Sequence, residues 1–298
     1  MNIKVLLTCF NRKDQTISCL TSLYEANHRK ESINIKVFLT DDGCTDGTAQ
    51  AVMKQFDSRD ITIIQGDGNL YWAGGMRAAW KCAIDEPTPA DYYLLLNDDT
   101  DLLPNLFEEL FDTEEYCKQT YGVEGVISGV TSGKINHDEI TYGGKLWDNK
   151  LLGISHRVIP EDNRPVLCDA ANANILLVPQ SVVEKIGTFW NGFIHGCADY
   201  EYTDRARRSG FPVLLTGNIC GRCDRDHDAS EKEKMKMLLS MNLQERKKFF
   251  FKPNHSIKDY LNYVKRTTPL RYPLVFIGRY MNIYFPHLYY GLGSWRDK

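Results

Sequence analysis

Net charge is scarce: 36 Lys and Arg against 39 Asp and Glu leave −3 at pH 7, with an isoelectric point near 6.2. That excludes an overall basic field of the kind that gathers nucleic acid, and no nucleic-acid partner is expected. The opening stretch MNIKVLLTCFNRKD holds one apolar run that stops at Asn11. It is too short for a membrane span and lacks the small-residue cleavage site of a secretory leader. Internal repeats and low-complexity linkers are absent. Nine cysteines, an odd number scattered along the chain, fit reduced thiols better than a disulfide framework, so a cytoplasmic protein is expected.

What is present is the composition of a soluble globular protein, 43% hydrophobic and 25% charged over 298 residues. The first hundred residues alternate between two periodicities. IKVLLTCF, INIKVFLTDDG, DITIIQG and DYYLLLNDD are apolar runs of strand length. DQTISCLTSLYEA, TDGTAQAVMKQF and AGGMRAAWKCAI carry apolar residues at helical spacing, the second opened by Thr45 or Asp46 as cap. Strands alternating with helices imply an α/β fold, a mostly parallel Rossmann-like sheet with helices on both faces. After residue 120 the pieces shorten into glycine-punctuated strands. A helix follows at PQSVVEKIG with Pro179 in its first turn, another ends at Gly210, and from about residue 228 the chain reads as helical.

Ligands of such sheets bind beyond the carboxyl ends of the strands, and every unusual polar cluster lies at such an end. CFNR follows the first strand, DDGCTDGT the second, GDGNLYWAGG the third and NDDTD the fourth. Asp98, Asp99 and Asp101 fall within one four-residue step, where like charges repel. Crowded carboxylates suit a hard divalent cation, Mg²⁺ or Mn²⁺; the alternative is a solvated turn with Asp101 capping the helix near Pro104. Gly74 and Gly75 open a helix where backbone N–H groups can approach a ligand closely.

LTCFNR, DDGCTDGT and NDDTD, in that order and each after a strand, resemble the family 2 glycosyltransferases, nucleotide-sugar-dependent enzymes of the GT-A fold. The resemblance spans roughly residues 1–230. It implies that Thr8, Phe10 and Asn11 line the base and that Asp42 accepts a hydrogen bond from the base imide, as a carboxylate can. Capping is the alternative for Asp41, Asp42 and Asp46. NDDTD looks like the family's DxD-type motif with Asn97 at its first position. Asp99 would bind the Mn²⁺ or Mg²⁺ that bridges the donor phosphates, and Asp98 would lie near the ribose or sugar. Asn69, Trp72 and Arg77 would contact the donor, although Trp72 could equally belong to the core.

A fourth stretch, ADYEYTDRARRSG, resembles a segment of rhamnosyl-type members, with Ala198 in place of a first acid and Asp199 as the second. The resemblance makes Asp199 the general base on the acceptor hydroxyl, with Glu201 as a rival. Arg205, Arg207 and Arg208 either pair with acids or form a solvated face. His227 would complete the metal shell. Cys220, Cys223, His227 and a distant Cys168 are the weaker reading of the same stretch, a structural zinc site.

The expected organisation is a GT-A catalytic domain over residues 1–228, with a nucleotide-sugar-binding half (1–120) and an acceptor-binding half (121–228), and a C-terminal helical extension over 229–298. The extension interleaves aromatic residues with Lys and Arg, which suits a membrane headgroup layer. The competing reading is a helical pair that packs on the catalytic domain or forms a homodimer. The resemblance implies an inverting transfer from dTDP-rhamnose or a UDP-hexose to a saccharide or lipid-linked saccharide acceptor, in bacterial surface polysaccharide assembly at the inner face of the plasma membrane. Two rival readings stand beside it. A nucleotidyltransferase should carry a glycine-rich loop after strand one, and TCFNRKDQ has no glycine. A non-catalytic glycan-binding protein has no need of Asp99 and Asp199 together.

Overall fold

Every residue but the first of strand β1 (Asn2–Cys9) is buried, because in a parallel sheet both faces are covered by helices. The computed structural model describes residues 1–27, 32–225 and 230–293. After β1 come α1 (Lys13–Asn27), β2 (Asn34–Asp41), α2 (Thr48–Gln55), β3 (Ile61–Gln65), α3 (Tyr71–Asp85) and β4 (Tyr92–Leu96). The shorter pieces that follow are β5 (Asp101–Leu102), α4 (Leu106–Tyr121), β6 (Val126–Ser132), β7 (Ile140–Tyr142), β8 (Gly144–Asn149), β9 (Ile154–Val158), β10 (Val166–Leu167) and β11 (Ala170–Ala171). The second half closes with β12 (Ile175–Pro179), α5 (Gln180–Ile186), α6 (Ala198–Arg208) and β13 (Val213–Arg222). The C-terminal helices are α7 (Glu231–Ser240), α8 (Leu243–Phe251), α9 (Ile257–Thr267), α10 (Tyr272–Tyr284) and α11 (Pro286–Gly293).

The main sheet runs in the order β10-β13-β6-β12-β4-β1-β2-β3, with β5 on β13 and β7 on β6. Pairings β1–β2, β2–β3, β1–β4 and β6–β13 are parallel; β12 is antiparallel to both β4 and β6. The period of two in β4 divides its side chains between two cores. Tyr93 and Leu95 face α3 residues such as Met76 and Trp80, while Tyr92, Leu94 and Leu96 share the other face with Leu20 and Leu23 of α1 and Leu110 of α4. Helices on both faces and a mostly parallel sheet are as the sequence implied. A small antiparallel sheet, β11-β8-β9, stands apart.

Local details differ from the sequence reading. Helix α2 is capped by Gly47 at φ +80° rather than by Thr45 or Asp46, although Asp46 still accepts the Thr48 N–H at 3.1 Å. Helix α4 starts at Leu106 with Asn105 before it, so Asp101 is not its cap. Pro179 precedes α5 instead of entering its first turn. Gly75 is placed by contact: a Cβ there would stand 2.0 Å from Thr8 Oγ1, so only glycine lets α3 lie this close to β1.

The C-terminal helices hold a small core of their own, Leu238, Phe250, Ile257, Leu261 and Ile283. Helix α9 docks on the rest through a polar edge. Asp259, Asn262 and Arg266, spaced three and four apart, bond respectively to the backbone at 194–196, the carbonyl of Gly192 and the carboxylate of Glu201. Among the described residues no helix is long and apolar enough to cross a membrane.

Candidate active site

The strand ends meet at one place, and hydrogen bonds trace how. Asp41 Oδ1 accepts the Cys44 N–H at 2.7 Å and so closes its own turn. Asp42, 3% exposed, accepts N–H bonds from Gly68 (2.9 Å), Leu70 (3.2 Å) and Tyr71 (2.8 Å), using three of its roughly four lone-pair positions on the start of α3. A carboxylate at a helix N-terminus is favoured by the dipole as well, which explains why α3 begins at Tyr71, ahead of the sequence expectation. Asn11, at φ +52°, accepts from the Thr45 N–H at 2.7 Å and joins the first two loops. Phe10 projects into solvent, 54% exposed, beside Asn11, while Thr8 is buried against Gly75.

At the end of β4, Arg12 bridges the two aspartates: its Nη1 lies 2.7 Å from Asp99 Oδ2 and 3.3 Å from Asp98 Oδ1. Burial pushes the Asp98 carboxyl up to about 7, a rise that the Arg12 guanidinium opposes. Asp101 turns away to Ser18 and Lys134. A divalent ion would draw on the same two carboxylates. Mg²⁺ and Mn²⁺ use one or two protein carboxylates and take further oxygens from phosphates, and the repulsion that Arg12 now offsets is what such a cation would remove. Among the described residues no group of three or more His, Cys, Asp or Glu is placed to hold a metal. His227 lies outside the described residues. Among the described residues the three cysteines form no cluster: Cys220 Sγ bonds to Thr216, Cys223 Sγ lies 3.5 Å from Asp99 Oδ1, and Cys168 packs on Gly144.

Asp199 stands in the first turn of α6, after Cys197 at φ +65°. Its Oδ1 accepts the Tyr200 N–H at 2.8 Å and its Oδ2 the Ala173 N–H at 3.3 Å. Burial raises its pKa from 3.8 to about 6, against those two backbone bonds and nearby Lys145. The neighbouring residue, Asn174, accepts the Asn97 N–H at 3.1 Å. The acidic step and Asp199 are therefore bonded to consecutive residues of one strand entry.

The Trp72 ring packs 5.5 Å from Phe189, against the core, and its Nε1 donates to Asn97 Oδ1 at 2.8 Å. Arg77 directs its guanidinium at the carbonyls of Phe193 (2.8 Å) and Trp190 (3.3 Å), where it holds the loop before α6. Asn69 is exposed and folds onto Asp67 in its own turn. Glu201, the rival base, is fully buried between Arg205 and Arg266. The arginine run is not a solvated face: Arg205 binds Glu201, and Arg207 and Arg208 flank the buried Asp204.

Two residues escaped the sequence reading. Arg12 sits inside the quoted LTCFNR but was not singled out. Asp259 is 1% exposed, and its carboxylate gathers the N–H groups of Ile194, His195 and Gly196 at 2.8–3.2 Å. Its one sequence signal is rarity, since it and Asp297 are the only acids after residue 255.

The sequence profile of Glycosyl transferase family 2 matches residues 4–160, more than half of the chain, and the chain belongs to that family. It is a glycosyltransferase by family; Asp199 lies beyond the matched span. Among solved structures, S. aureus TarS 1-349 in complex with UDP is similar at TM-score 0.57 and 12% identity, over 95% of this chain and 88% of that one. The same fragment with UDP-GlcNAc gives 0.55 and 12%, over 95% and 79%, and without ligand 0.54 and 12%, over 92% and 82%. At this identity the likeness establishes the fold. No curated protein matches the chain.

Proposed function

We propose that this chain is an inverting glycosyltransferase that moves a sugar from a UDP- or dTDP-linked donor to a saccharide acceptor. The observation that carries the reading is Asp199: a carboxylate with its pKa raised to about 6, tied to the residue next to the one that binds the acidic step. A base of that strength is deprotonated at neutral pH and still accepts a proton readily. Asp199 takes the proton of the acceptor hydroxyl, the hydroxyl oxygen bonds to the anomeric carbon, and the bond from that carbon to the diphosphate oxygen breaks, releasing the nucleoside diphosphate. A single displacement inverts the anomeric centre. Asp99, with Asp98 beside it, would hold Mn²⁺ or Mg²⁺, which when bound neutralises charge developing on the departing diphosphate. Thr8, Phe10, Asn11 and Asp42 form the nucleoside end of the groove, and Asn69 and Trp72 lie along the donor. The UDP and UDP-GlcNAc bound by TarS support a uridine donor ahead of dTDP-rhamnose.

The acceptor belongs to cell-surface polysaccharide assembly, and the C-terminal helices make peripheral contact with the membrane that carries it. Leu270, Leu274, Ile277, Phe285 and Leu288 are exposed at helical spacing, with Arg271 and Arg279 among them and no acid between residues 260 and 296. Flotation with anionic liposomes tests this, and absence of binding removes the membrane role and leaves the exposed stripe to a dimer.

The transferase reading is tested by thermal unfolding with UDP, dTDP, GDP and CDP, each with and without Mn²⁺. A nucleotide at about a hundred times its Kd adds roughly 2.7 kcal/mol. Stabilisation by UDP or dTDP that needs metal and disappears in Asp99→Ala supports the proposal. A flat response to all four nucleotides refutes it.

A further inference from the structure

Beside Asp199 the small sheet and β7 enclose a cavity of about 240 Å³, lined by Tyr142, Arg157, Asn172, Tyr200 and Arg225 among others. Its chemistry is lopsided. Arg157 and Arg225 both donate to the carbonyl oxygen of Ile140, at 2.7 and 2.9 Å, so two guanidiniums share one neutral acceptor. Lys145 is the direct cross-strand partner of Arg157 between β8 and β9, and like charges facing each other across a ladder destabilise it. The Lys145 ammonium lies 4.3 Å from the ring centre of Tyr200 and 4.6 Å from that of Trp147, and among the described residues it has no carboxylate within ion-pair distance. Among the described residues Glu139, 3.1 Å from Arg225, is the carboxylate in ion-pair contact with these cations, while Lys145 lies in the field of Asp199 and Asp204.

Two cavity-lining guanidiniums that share one neutral carbonyl, with a third cation on the neighbouring strand, form an arrangement that a ligand's negative charge would complete. The place is informative as well. Tyr200 follows Asp199 in the chain, and Asn172 precedes the residue whose N–H fixes the Asp199 carboxylate. A group bound in the cavity is thus one residue away from the base. Guanidinium forks match phosphate and carboxylate oxygens in pairs, which adds orientation to attraction.

We propose that this cavity is an anion subsite for the acceptor, taking a phosphate or carboxylate carried by the saccharide whose hydroxyl Asp199 deprotonates. The assignment rests on the transferase reading, and it narrows the acceptor from any saccharide to an acidic one.

The test measures binding of glucose 6-phosphate, glucuronate and glucose to the full chain by calorimetry, with UDP stabilisation followed in parallel. The expected result is that at least one anionic sugar binds about tenfold or more tightly than glucose, as charge-assisted bonds allow, and that the gain fades as salt rises. Which of the two binds separates phosphate from carboxylate. The double variant Arg157→Gln, Arg225→Gln should lose the preference and keep its response to UDP. Equal binding of all three sugars to the unaltered protein overturns the proposal without recourse to a variant, as does a preference that survives the double substitution. A missing UDP response in the unaltered protein counts against the transferase reading instead, and the sugar comparison remains readable by itself.

Discussion

Asp259→Ala tests how the loop before α6 is held. The carboxylate is 1% exposed and satisfies three backbone N–H groups of residues 194–196. Three such bonds at about 1–1.5 kcal/mol apiece give a loss of about 3–5 kcal/mol. Set against a total of about 5–15 kcal/mol for an ordinary domain, that is a large fraction, and urea denaturation followed by circular dichroism would show it as a marked fall in midpoint. The kinetic consequence is separate. Residues 194–196 lead directly into Asp199, and a base displaced by an ångström costs on the order of 100-fold in turnover. Asp259→Asn, which keeps the size and one oxygen, should fall about halfway in stability. A loss below about 1 kcal/mol for the alanine variant, with turnover unchanged, would refute the reasoning, because it would mean the loop is positioned without this carboxylate.

Other expectations follow from the same geometry. The pH profile of kcat/KM should rise towards a plateau with a midpoint near 6, and Asp199→Asn should remove the activity while UDP still stabilises the protein. Stability should move the opposite way: the folded pKa is above the ordinary 3.8, so the contribution of Asp199 is complete below that value and is lost as pH rises through about 6, a trend that Asp199→Asn should flatten in pH-dependent unfolding. Arg12→Gln should strengthen Mn²⁺ binding a few-fold, since the ion no longer displaces a guanidinium from Asp98 and Asp99; weaker binding in a calorimetric titration would count against a shared position. Glu201→Gln leaves Arg205 and Arg266 facing an uncharged group inside the protein and should cost about 3 kcal/mol by urea denaturation, with the folded fraction still active if Asp199 is the base as proposed. Gly75→Ala should cost about 1–3 kcal/mol by overpacking against Thr8, read as a lowered melting temperature.

Much of the fold was legible because the first hundred residues obey two clean periodicities, and β4 shows why: DYYLLLNDD is apolar on both faces and then abruptly acidic. The shorter strands after residue 120 could be read as strands but not ordered. Nothing in KLLGISHRVI says that it pairs with EITYGGKLW in a separate sheet, because pairing is a long-range choice that local sequence does not encode. The site was legible where its residues sit at strand ends, as with Asp42, Asp98 and Asp99. The loop-holding role of Arg77 and the residue Asp259 escaped for the opposite reason. Their work is to bond backbone atoms more than sixty residues away, and carbonyl and N–H groups leave no mark in a sequence. The cavity's cations were hidden likewise, since Arg157 and Arg225 converge only once β9 and the segment after β13 are brought together.

The bond from α9 to residues 194–196 also sets an order of events during synthesis. The sheet, the acidic step and Asp199 all leave the ribosome before residue 256, and N-terminal units fold first. Until Asp259 arrives, three amide groups of the loop before α6 lack the carboxylate that gathers them, so a nascent chain can be largely folded with that loop not yet fixed. A product truncated after β13 would carry the acidic step and Asp199 and still lack the carboxylate that fixes the loop leading into α6. Competence for chemistry is thus deferred until the last helices are made.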